Sequence, residues 1–136
     1  MEIMKNETGA LTYTATGKVR FTVQIASTSK TNSSSFALKA GDAYIACDQD
    51  ATAISGTVAS QKIVGPDGAA PVAATLYELA GSDNVYLVYG SGDGITLTWT
   101  VDASAVEGGL KLALTSPDAG CGRGVRVLAV TIETIG

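Results

Sequence analysis

The run Lys18-Val19-Arg20-Phe21-Thr22-Val23-Gln24-Ile25 decides the fold class, because Val19, Phe21, Val23 and Ile25 alternate with polar side chains. A two-residue period puts the apolar groups on one face of an extended chain, as in a strand with one buried face. Upstream, Leu11, Tyr13 and Ala15 alternate with Thr12, Thr14 and Thr16, and Gly17 separates the two runs. The pair predicts a hairpin over residues 11–26. The polar segment Ser27–Ser35 follows, and its composition predicts an exposed loop.

From residue 72 onward the pattern predicts a meander. Strands are expected at Val72–Leu79, which also tolerates a helix, and at Val85–Tyr89. Further strands are expected at Ile95–Val101, Leu110–Leu114 and Val125–Ile135, with turns at Gly81–Asn84 and Gly90–Gly94. Weaker strands are expected at 36–39, 43–47, 52–58 and 60–64, and Gly65-Pro66-Asp67-Gly68 reads as a turn. No segment keeps a 3.6-residue period over a helical length. Thr and Val richness favours strands. The expected fold is all-β: a single β-sandwich over residues 1–136, jelly-roll or Greek-key like, with about eight to ten short strands. Residues 1–8 are expected to form an extended N-terminal arm.

Composition narrows the chemistry. The 136 residues include no histidine, which removes the commonest general base and metal ligand. Net charge is −4, and phosphate binding needs clustered Lys and Arg, so no nucleic-acid partner is expected. No run approaches the roughly 18 apolar residues of a membrane helix, and no basic-then-apolar leader opens the chain. Synthesis in a cytoplasm, with no membrane partner, is therefore expected. Cys47 and Cys121 are expected as free thiols in a reducing compartment, a disulfide being open to them only in an oxidising medium. Two cysteines without histidine do not complete a zinc site.

An enzyme is not expected, and neither catalytic residues nor cofactors are assigned. Cys47 follows the apolar run Tyr44-Ile45-Ala46, where a thiolate is disfavoured. Asp48 and Asp50 share one face if the segment is a strand, which suits a carboxylate pair or, with Asp93, a calcium site. A solvated turn is the plainer alternative. Thr52 and Ala53 stand where an EF-hand loop needs its third ligand and its glycine, so no metal is assigned. Gly90-Ser91-Gly92-Asp93-Gly94 lacks the Lys-Ser/Thr and helix of a P-loop and reads as a hairpin turn.

Trp99 is in phase with Ile95, Leu97 and Val101, which marks a core anchor more than a sugar platform. Tyr86 falls on the opposite phase from Val85 and Leu87 and is the expected exposed aromatic for a ligand. The last strand is apolar in both phases, with Val125, Val127 and Ala129 on one and Leu128, Val130 and Ile132 on the other. Such a strand is buried on both sides, either centrally in the sandwich or against a partner chain.

The low charge, the all-β patterning and the Ala/Gly/Thr/Val richness resemble the small virion proteins of tailed bacteriophages, nearest in size the capsid decoration or cement proteins. The resemblance implies a small sandwich or barrel, a homo-oligomer and most often a trimer, seated outside a shell where major capsid subunits meet. On that reading the chain is a virion structural protein, made in the host cytoplasm and then carried on the particle surface. Ile3 and Met4 of the arm, with Val125, Val127, Leu128, Val130 and Ile132, are its expected contacts. The alternative is a carbohydrate- or receptor-binding sandwich that uses Tyr86.

Overall fold

The computed structural model describes residues 2–4, 11–28, 33–54, 75–79, 84–90, 92–117 and 124–135. Among them every regular element is a strand: β1 (Glu2–Ile3), β2 (Leu11–Ala15), β3 (Lys18–Ser27), β4 (Ser33–Ala40), β5 (Ala43–Ile45) and β6 (Thr52–Ile54). They continue with β7 (Leu76–Leu79), β8 (Tyr86–Tyr89), β9 (Ile95–Asp102), β10 (Leu110–Thr115) and β11 (Val125–Thr134). That makes eleven strands among the described residues, of which β1 is too short to leave a periodic signal.

The strands form two sheets of a β-sandwich. One has the order β1-β11-β3-β9; the other runs β2-β10-β4-β8-β7-β6, with β5 also paired to β4. Neighbours are antiparallel except β6 and β7, which are parallel. Inward residues of both sheets build one apolar cluster around Trp99, Phe21 and Phe36. Phe21 and Trp99 meet edge-on at 6.1 Å between ring centroids, as do Phe36 and Trp99 at 6.4 Å. Trp99 is the core anchor that its phase suggested.

Two pairings differ from the sequence reading. β2 and β3 do not form a hairpin: β2 pairs with β10, while β3 lies between β9 and β11. A two-residue hairpin turn needs positive φ, and neither Thr16 nor Gly17 has it. The Thr16–Gly17 link instead carries the chain from one sheet to the other, and the Gly17 carbonyl accepts the Ala103 N–H at 2.8 Å. Likewise only β7 and β8 of the expected meander are hydrogen-bonded neighbours. The Gly90–Gly94 link crosses between sheets, so β9 pairs with β3 rather than with β8.

Burial corrects two more readings. Ser33, Ser34 and Ser35 are not in an exposed loop but fully buried in β4. Their hydroxyls are satisfied: Ser34 donates to Ser27 Oγ at 2.9 Å, and Ser35 donates to the Pro117 carbonyl. A small side chain whose single hydroxyl finds an acceptor is inexpensive to bury. Among the described residues, strands buried on both faces include β4 over Ser33–Leu38, β8 over Tyr86–Val88 and β10 over Leu112–Thr115. β11 is not among them. The expectations at 60–64, at 65–68, at 72–74 and for Cys121 lie outside the described residues.

Candidate interface along the edge of β11

The double-phase apolar pattern of β11 arises from a bulge. Val127 is the Cα partner of Ile25 and Ala129 that of Gln24, so Leu128 is the extra residue. A bulge shifts the side-chain phase by one. Before it Val125 and Val127 point inward, and both are buried; after it Val130 and Ile132 take over, opposite Val23 and Phe21 of β3. The inward face is therefore apolar along the whole strand, while Ala129, Thr131 and Glu133 form an exposed outer face. The sequence carries apolar residues in both phases, Val125, Val127 and Ala129 in one and Leu128, Val130 and Ile132 in the other, which by itself reads as two buried faces and not as a change of phase.

The ladder also fixes which backbone groups face away from β3. The Ile135 N–H donates to the Lys18 carbonyl at 2.9 Å. With Glu133 opposite Arg20 and Thr131 opposite Thr22, residues 131, 133 and 135 bond to β3. The N–H and C=O groups of Val130, Ile132 and Thr134 then point out of the sheet edge. On that side β1 pairs with Val125 and Arg126 only. Among the described residues no strand continues that lane beside residues 128–134.

The opposite edge of the same sheet is capped at its middle, at Thr98. The Asp48 N–H donates to the Thr98 carbonyl at 2.7 Å, and the Thr98 N–H donates to Gln49 Oε1 at 2.7 Å. Asp48 Oδ2 accepts the hydroxyls of Thr98 and Thr100 at 2.9 and 2.7 Å. The segment Asp48–Gln49 thus occupies the place of a further strand beside β9. Among the described residues no group of three or more His, Cys, Asp or Glu is placed to hold a metal ion. The Asp48 carboxylate is engaged with the two threonines.

The other site candidates are distributed as follows. Ile3 is fully buried, because β1 closes the core beside Gly124; a Cβ on Gly124 would stand 2.1 Å from the Ile3 carbonyl oxygen. Ile3, Val125 and Val127 are therefore part of the chain's own core and cannot serve as outward contacts, and Glu2–Ile3 is a sheet strand rather than a free arm. Met4 is 69% exposed and Leu128 39%, while Val130 and Ile132 are half-buried at the sandwich rim.

Tyr86 is not exposed. It lies in the interior with 3% of its surface open and packs on Phe36 at 6.1 Å. Its hydroxyl accepts the Cys47 N–H at 3.0 Å, and burial pushes its pKa well above the ordinary phenol value. The phase argument failed because β8 is central, with both faces covered. Cys47 is a free, half-buried thiol whose pKa burial also raises, and its Sγ–H donates to the Gln49 carbonyl at 3.4 Å. A cleft of about 420 Å³ lies between Asp50, Leu76, Ile95 and Thr96, at the rim where β7 and β9 meet.

Comparison with family models, with curated proteins and with solved structures gives no match. Function has to be argued from the molecule itself.

Sequence reasoning also missed the residues that clamp the Gly90–Gly94 link. Gln24 Nε2 donates to the Asp93 carbonyl at 2.8 Å and Arg126 Nη2 to the Gly92 carbonyl at 3.0 Å. Nothing local in the sequence marks contacts that lie 69 and 34 residues away.

Proposed function

We propose that the protein is a non-enzymatic structural subunit of a virus particle, of the capsid decoration or cement kind, which stabilises a shell by adding oligomeric contacts outside it. The observation that carries this reading is the edge of β11, unpaired beyond the bulge among the described residues, where outward backbone groups of Val130, Ile132 and Thr134 lie beside the partly exposed side chains of Leu128, Val130 and Ile132. An edge of this kind gains main-chain hydrogen bonds and apolar burial when another strand is added. Each Å² of apolar surface covered contributes about 25 cal/mol, and a footprint repeated over a shell multiplies that gain. A subunit that binds only the assembled shell stabilises it by mass action.

The competing glycan-binding reading rested on an exposed Tyr86, and Tyr86 is in the core. The test is to band virus particles from the organism encoding the chain in a density gradient and then strip and restore the protein. The reading expects the chain to band with the capsids. It also expects stripped capsids to open at lower temperature and to recover when the chain is added back. A chain that never bands with particles, or whose removal leaves the opening temperature unchanged, would overturn it.

A further inference from the structure

We infer that the lane beside β11, open among the described residues, is filled by β11 of a second copy, antiparallel and centred on Thr131, giving a two-fold dimer with one continuous sheet. The inference rests on the edge-association reading above and names its partner. Three observations select a second copy in this register.

The first is length. β1 blocks the lane at Arg126 and the strand ends at Thr134. Antiparallel self-pairing centred on residue 131 places Leu128 opposite the partner's Thr134 and Val130 opposite the partner's Ile132. That register uses the whole free stretch 128–134. Moving the centre to 130 drives the partner's strand into the place of β1, and moving it to 132 leaves Leu128 and Ala129 outside the paired strand.

The second is hydrogen bonding. Val130 and Ile132 are outward-facing residues of the same parity, so each N–H and C=O of Val130 meets the partner's Ile132, and the same pair recurs across the two-fold. Their half-buried side chains lie on the inner face, so the pairing extends the existing core.

The third is charge. Glu133 is the only ionisable residue between 127 and 134, and in this register it lies opposite the partner's Ala129 while keeping Arg20 as its neighbour on β3. A parallel arrangement in register would set the two Glu133 carboxylates side by side, which is unfavourable. A two-fold pairing uses the same edge of both copies, so the association closes as a dimer, while Asp48 and Gln49 cap the opposite edge of the sheet at Thr98.

Thr131 sits on the exposed outer face at the two-fold, in a pair without hydrogen bonds, where opposed Cα atoms stand about 4.5 Å apart. A disulfide tolerates that separation. The experiment uses the full chain with Cys47→Ser and Cys121→Ser and adds either Thr131→Cys or Ala129→Cys, oxidised with oxidised glutathione. The expected result is a covalent dimer for Thr131→Cys and at least tenfold less for Ala129→Cys. Thr131→Arg in the native background, exposed in the single chain, is expected to lose the dimer in light scattering while its circular dichroism is unchanged.

Equal cross-linking at both positions, no cross-linking at Thr131→Cys, or a trimer in light scattering that survives Thr131→Arg overturns the pairing. If the pairing fails while the chain still bands with capsids, the self-association falls and the structural-subunit reading stands. A dimer that ignores capsids gives the reverse.

Discussion

The backbone N–H of Asp48 donates to the carbonyl of Thr98 at 2.7 Å, so a loop residue takes the place that a neighbouring strand would hold on β9. Gln49 completes the mimicry by accepting the Thr98 N–H through its side chain and donating Nε2 to Thr98 Oγ1 at 3.0 Å. Sheet edges are templates for unwanted pairing, and this one is capped at Thr98 by the chain itself. Asp48→Pro removes the N–H donor together with the carboxylate that accepts the Thr98 and Thr100 hydroxyls. We expect a loss of about 1–2 kcal/mol in urea unfolding, the usual effect of a lost hydrogen bond with its partner stranded. We also expect faster growth of light scattering on warming, as β9 opens. An unchanged unfolding midpoint and scattering would show that the cap contributes nothing.

The bulge at Leu128 makes a sharper prediction. Leu128→Ala, at a residue 39% exposed, is expected to change stability by less than about 1 kcal/mol. Deleting Leu128 is expected to be mild as well. The deletion joins Val127 to Ala129, which already face the consecutive residues Ile25 and Gln24, so the ladder closes without a slip and Val130 and Ile132 stay inward. Unfolding midpoints of the two variants decide it, and a deletion far more destabilising than Leu128→Ala would contradict the bulge.

Trp99 joins the two sheets as well as filling the core. Its Nε1–H donates to the Ile45 carbonyl at 3.1 Å, while its ring meets Phe21 and Phe36 edge-on. Trp99→Phe leaves a cavity and an unpaired carbonyl together. A loss of about 2–4 kcal/mol is expected by chemical denaturation, with the amide of Phe21 losing protection from exchange.

These three residues show how far the sequence could be read. Trp99 announced itself because Ile95, Leu97 and Val101 share its phase, and a two-residue period is a local property. The inward run Val19–Ile25 was legible for the same reason. The sheet assignment of each strand was not, since the Thr16–Gly17 link looks like a hairpin turn until its φ angles are known. Asp48 was legible only as an acidic residue in a turn, because its partners Thr98 and Thr100 lie 50 and 52 residues away. The β11 edge was singled out, but Val125 and Val127 prove to be core, and the residues facing outward begin at the bulge.

Stability should also depend on acid through Asp102. The Ser104 hydroxyl donates to Asp102 Oδ1 at 2.6 Å and the Ser104 N–H at 3.0 Å, and these bonds hold the carboxyl pKa below its ordinary value. A lowered folded pKa means that the contribution is fully present above the ordinary carboxylate pKa and is lost as pH falls through the folded value. The gap in urea midpoint between the native chain and Ser104→Ala is therefore expected at pH 7 and should shrink on acidification below the usual carboxylate range. A gap that widened in acid would contradict the assignment.

Amide hydrogen exchange along β11, followed by NMR as the protein is concentrated, tests the open edge most directly. The account expects the amides of Thr131 and Glu133, bonded to β3, to be protected at every concentration. Those of Val130, Ile132 and Thr134 should exchange fast when dilute and slow together as copies pair. Fast exchange at Val130 and Ile132 in a sample that light scattering shows to be associated would place the contact elsewhere. Protection of both sets in a dilute, single-chain sample would mean that the edge is already covered, and the account would fall.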